Sequence, residues 1–199
     1  MQRESGSPHR SHGTSHFVSL KRCLSVISWR RLKRIYLALA IYSTIFFVGA
    51  AFLGLKLHET QGDAWKYWHL RVGLFVAIFV CFVHSLVFIH LLGTGLGIKR
   101  AIDEHKLPEG AKADLYTFKM RAFPPAFASM VCTIATAVLG GATLTGASPT
   151  GHLVLAGVAL VVNLLTFPYV VKQLAANERV LREVERELAI RTGEVAPRP

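Results

Sequence analysis

AFPPAFASMVCTIATAVLGGATLTGASPTGHLVLAGVALVVNLLTFPYVV, residues 122–171, runs for 50 residues without Asp, Glu, Lys or Arg. The hydrocarbon core of a bilayer, about 30 Å thick, takes about 20 helical residues, so this stretch is long enough to cross twice. Near its middle stands Thr145-Gly146-Ala147-Ser148-Pro149-Thr150-Gly151. Gly and Pro there break the helix and return the chain as a tight hairpin. Working outward, 27 uncharged residues separate Arg71 from Lys99, and 21 separate Arg34 from Lys56. Each of those runs crosses once. The spans are placed at 35–56, 70–96, 123–145 and 152–172.

Composition agrees with this reading. Of the 199 residues 52% are hydrophobic and 18% charged, and the charges are confined to the segments between the apolar runs. A soluble helical bundle spreads its charges along every surface element. The expected fold is therefore all-α, a polytopic membrane protein with four transmembrane helices in an up-down bundle over 34–172.

The basic residues set the expected orientation. Eight Lys and Arg precede the first span, six lie in the second connection and six follow the last span, against three in the first connection and none in the third. The positive-inside bias puts both termini and the second connection in the cytoplasm, with a bacterial inner membrane as the expected home. The net charge of +11 follows from that asymmetry. It calls for an anionic lipid leaflet rather than a nucleic acid as partner.

Outside the spans, residues 1–16 are rich in Ser, Gly and His and are expected to be a disordered arm. Residues 17–33, with Phe17, Leu20, Leu24 and Ile27 at helical spacing opposite Lys21 and Arg22, read as an amphipathic helix on the membrane surface. Residues 173–199 continue the last helix into the cytoplasm. Leu174, Leu181 and Leu188 recur every seven residues, with Val170, Asn177 and Val184 between them. This pattern over 170–190 suits a homodimer contact, a partner protein or a fold back onto the second connection. Cys23, Cys81 and Cys132 form no disulfide framework and no metal pattern.

Two local signals sharpen the span ends. Gly93-Thr94-Gly95-Leu96-Gly97 is expected to cap the second helix at its C-terminus rather than to hold phosphate, since helix C-termini repel anions. Pro124 and Pro125 suit the first turn of the third helix, where a missing N–H costs nothing.

The chemistry-bearing residues sort by depth. His58, His69 and His152 fall on one rim. Near mid-membrane, His84 lies 13 residues below Arg71 and Asn163 lies 12 below Gly151. Eleven residues are almost a whole number of turns, so His152, Ala156 and Asn163 share one stripe, as do Gly73, Ala77 and His84. Thr133 and the segment Tyr42-Ser43-Thr44 reach the same level. A polar layer of His84, Asn163 and Thr133 is expected inside the bundle, because an ionisable group at membrane depth is usually buried against a partner.

Histidines on the second and fourth of four helices resemble the membrane cytochrome b family, at the level of pattern and over the spans only. The resemblance implies that His69 and His84 on the second helix, with His152 on the fourth, match the haem b ligands, and that Gly49 and Gly140 make room for the porphyrin. A second haem would need a histidine near 163–166, where Asn163 and Thr166 stand. No nucleophile–base pair and no paired carboxylates lie within the spans. The expected function is that of a non-catalytic accessory or scaffold subunit without a cofactor. The alternatives are a haem b- or quinone-binding electron-transfer subunit, with His69 and His152 as haem ligands, and a small transporter.

Overall fold

The computed structural model describes residues 29–60, 63–107 and 110–193. The disordered-arm expectation for 1–16 and most of the amphipathic stretch 17–33 lie outside them. Among the described residues the chain is all-helical: α1 (Trp29–Thr60), α2 (Asp63–His105), α3 (Gly110–Ala142) and α4 (Pro149–Arg191), with a short 3-10 turn at Thr143–Thr145. All four helices are long and apolar enough to span a membrane.

The surface chemistry is inverted relative to a soluble bundle. Ile41, Ile45 and Phe52 of α1, Ile78 and Ile89 of α2, Phe127 and Val138 of α3 and Leu165 of α4 are exposed, the last at 68%. Inside lie Ser43, His84, Ser129, Thr133, Asn163, Thr166, Gln173 and Asn177. A surface of Ile, Val, Leu and Phe with polar groups turned inward suits hydrocarbon, where each polar group needs a partner within the protein.

The 122–171 stretch folds back at the expected place. Gly146 takes φ +101 after the 3-10 turn, a left-handed conformation open to Gly at little cost. Ala147 N–H then donates to Ala142 O at 3.1 Å, and Pro149 opens α4 where its missing N–H is harmless.

Two helix boundaries differ from the sequence reading. Gly93–Gly97 does not end α2, which continues to His105. Within that run Gly95 has a packing role: a Cβ there would stand 2.5 Å from Lys119 Nζ, so the lysine of α3 lies across a bare backbone. Pro124 and Pro125 are inside α3 rather than in its first turn, because α3 begins at Gly110. Thr166 Oγ1 of α4 donates to Pro125 O at 3.4 Å.

Three apolar clusters hold the helices together. The first joins Phe47, Ala50, Val76, Val80 and Ala159. The second, in the middle, joins Tyr36, Ala40, Val83, Val87, Ala126 and Phe167 with their neighbours. The third joins Ile98, Ala101, Ile102, Leu107 and Leu115 with Val180 and Val184 of α4. The seven-residue pattern of α4 thus packs on α2 and α3 of its own chain. Beyond it, Arg191 Nη1 donates to His105 O and Lys106 O, both at 3.0 Å. These are carbonyls at the end of α2 that lack helical partners.

Candidate functional site

Paired residues locate the helices against one another. His69, His84 and Thr94 of α2 meet His152, Asn163 and Asn177 of α4 in the same order along both helices. Thr136 and Thr133 of α3 meet Leu155 and Asn163 of α4 in the opposite order. Helices α2 and α4 therefore bring their histidines to matching levels.

At the first level His69 and His152 converge. Their ring centroids are 5.8 Å apart and the planes cross at 76°. Each ring is held by the neighbouring helix in the same way. His69 Nδ1 lies 3.1 Å from Ala50 O of α1, and His152 Nδ1 lies 3.1 Å from Thr136 O of α3. A carbonyl oxygen only accepts, so Nδ1–H donates in both cases and Nε2 carries the lone pair of the neutral ring. Among the described residues neither Nε2 has a hydrogen-bond partner.

A glycine one turn beyond each carbonyl makes room for each ring. A Cβ on Gly54 would stand 2.9 Å from His69 Cε1, and a Cβ on Gly140 would stand 2.8 Å from His152 Cε1. The pattern is small residue, three residues, glycine in both cases: Ala50 with Gly54, and Thr136 with Gly140. Such spacing lets membrane helices approach closely. Gly49, which the cytochrome b resemblance implied as room for a porphyrin on α1, is exposed, and a Cβ there would meet nothing within 4 Å. Gly54 was missed, although its offset from Ala50 was available as a signal. Beside the rings a cavity of about 170 Å³ is lined by Lys66, Leu70, Gly73, Ala137, Gly140 and Thr143, among others. His58 belongs to α1, and its side chain lies outside the described residues.

At the second level His84 Nε2 is 3.2 Å from Asn163 Oδ1. Asn163 Nδ2 donates to Thr133 Oγ1 at 3.1 Å and to Ala159 O at 2.8 Å. His84 stacks on Phe167, centroids 5.2 Å apart and planes 9° apart. Of the α1 segment expected here, Ser43 is buried whereas Tyr42 is 55% exposed. A third polar contact, Asn177 Nδ2 to Thr94 Oγ1 at 3.1 Å, joins α4 to α2 beside the glycine run.

Among the described residues there is no group of three or more His, Cys, Asp or Glu able to hold a metal ion. The site at His69 and His152 thus offers two imidazole nitrogens. Comparisons with protein-family models, with characterised proteins and with solved structures give no match, so the chemistry of the site rests on these residues themselves.

Proposed function

We propose that this protein is an electron-transfer subunit of a membrane complex and that it holds a b-type haem between His69 and His152. The observation that carries this reading is the convergence of two imidazoles from different helices, each with Nδ1 tied to a backbone carbonyl. That hydrogen bond is the one that fixes tautomer and ring direction in metal-ligating histidines. The two ring centres stand 5.8 Å apart.

The number of donors favours haem over a bare ion. Zinc takes about four protein ligands in a closed site. Haem would supply most of its iron's ligands itself and would need only a few side chains, here His69 and His152. The cavity of about 170 Å³ is smaller than the ~300–1,000 Å³ of ordinary ligand sites, so a porphyrin would need the helices around it to move apart. The bound group would supply a one-electron carrier. The chain's own part is to orient both rings, keep Nε2 unprotonated and surround the site with apolar residues.

In this reading the basic segments face the cytoplasm, which places both termini and the α2–α3 connection there, in a bacterial inner membrane with anionic lipid against that face. The exposed side of the α4 extension, with Arg179, Arg182, Glu183 and Arg186, is the surface available to a second copy or to a partner subunit. The test is the absorption spectrum of the purified protein, oxidised and then dithionite-reduced, from cells supplied with haem. A b-type reduced band supports the reading, and a featureless spectrum at high protein concentration rejects it.

A further inference from the structure

The hydrogen bonds around His84 have determined directions. Ala159 O only accepts, so the group of Asn163 that faces it at 2.8 Å is the NH2, and Oδ1 is left to face His84. His84 Nε2 must then be the donor. Thr133 gives its own hydrogen to Ser129 O at 2.7 Å, which leaves Thr133 Oγ1 to accept from Asn163. The result is a neutral His84 protonated on Nε2 with a lone pair on Nδ1, the reverse of His69 and His152.

That Nδ1 is buried without a partner, and so are Tyr36 OH, Ser43 Oγ and Ser129 Oγ. The four residues are 0–3% exposed. They come from α1, α2 and α3 and surround one cluster. Tyr36 and His84 both contact the ring of Phe167, Ser43 lies one turn from Ala40, and Ser129 lies one turn from Ala126, both in the same cluster as Phe167. A buried polar group left without a hydrogen bond costs about 1–3 kcal/mol, so each of them calls for a partner. Nδ1 requires a donor. A quinone carbonyl is an acceptor and cannot serve, and the donor nitrogen of His84 is already engaged by Asn163. Water both donates and accepts, is small enough for an enclosed site, and commonly satisfies about three buried polar groups.

We propose that the bundle holds ordered water against His84 Nδ1 and the hydroxyls of Ser43 and Ser129, a hydrated polar layer inside the membrane. The groups facing His84 are Asn163 and Phe167 from α4, with Tyr36 and Ser43 on α1 and Ser129 on α3; no ion pair or charge interaction of His84 is present among the described residues. The proposal is independent of haem.

The test uses the full-length wild-type protein, ¹⁵N-histidine-labelled, in liposomes, by water-edited solid-state NMR. The expected result is magnetisation transfer from water to a bare, hydrogen-bonded Nδ1 of His84, with Nε2 protonated. Ser43→Ala with Ser129→Ala should reduce the water transfer several-fold while the Nε2 signal stays in place. No transfer from water, or Nδ1 protonated at the start, would each overturn the proposal. His84→Gln assigns the signal, and if that variant fails to fold, Asn163→Asp assigns it by perturbing the Nε2 resonance.

Discussion

His69 and His152 meet edge to face across the interior, with ring centroids 5.8 Å apart, although each is fixed by a different neighbouring helix. Under the haem reading, His69→Ala and His152→Ala should each abolish the reduced b-type absorption band in protein supplied with haem. His84→Leu should leave that band in place, because His84 sits at the other level. Loss of the band in His84→Leu alone would move the cofactor to the wrong layer for this reading.

The glycines facing the rings can be tested separately. Gly54→Ala and Gly140→Ala would each place a methyl group within 3 Å of a histidine carbon. Disturbing the groups that orient a metal ligand typically costs about 10–100-fold in affinity, and that loss is expected for haem in both variants by titration. Gly49→Ala, with open space around it, should bind as the wild type does. Equal behaviour of all three variants would refute the role given to the ring contacts.

The bond between His84 and Asn163 should contribute modestly to stability. Interhelical hydrogen bonds in membrane proteins average about 0.6 kcal/mol by double-mutant cycles. A cycle of His84→Leu and Asn163→Leu, read by unfolding in detergent, should give a coupling of that order. Single Asn163→Leu should cost more, about 1–3 kcal/mol, because it leaves a buried N–H of His84 without its acceptor. A fully stable Asn163→Leu would contradict the hydrogen-bond directions derived above.

The orientation has its own readout. A reporter active only outside the cytoplasm should be silent when fused after Pro199 and active when inserted in the turn at Gly146–Ser148. The opposite pattern would reverse the placement of the basic segments.

Much of the fold could be read from charge spacing, since a run of uncharged residues has few other uses at these lengths. The turn at Gly146 and the contact among His84, Asn163 and Thr133 also followed from simple helical counting. The ends of α2 and α3 did not. Glycine lowers helix preference, yet α2 runs through Gly95 to His105, where Lys119 of α3 lies across it, a tertiary contact with no local signature. Pro124 and Pro125 mark a helix start in isolated statistics, whereas α3 carries them inside, against Thr166 of α4. The choice of Gly49 over Gly54 failed for a related reason. Both faces of a membrane helix are apolar, so periodicity does not say which glycine looks inward.

The two histidine settings are each complete within one pair of consecutive helices: His69 leans on α1, and His152 leans on α3. Under the haem reading each pair would be a half-site prepared within itself, needing no contact with the other pair to aim its imidazole. Assembly would then amount to the closing of two prepared surfaces. A ligand arriving at that moment would act as a clasp between them, so its supply would govern how much of the newly made protein matures rather than only how much is active.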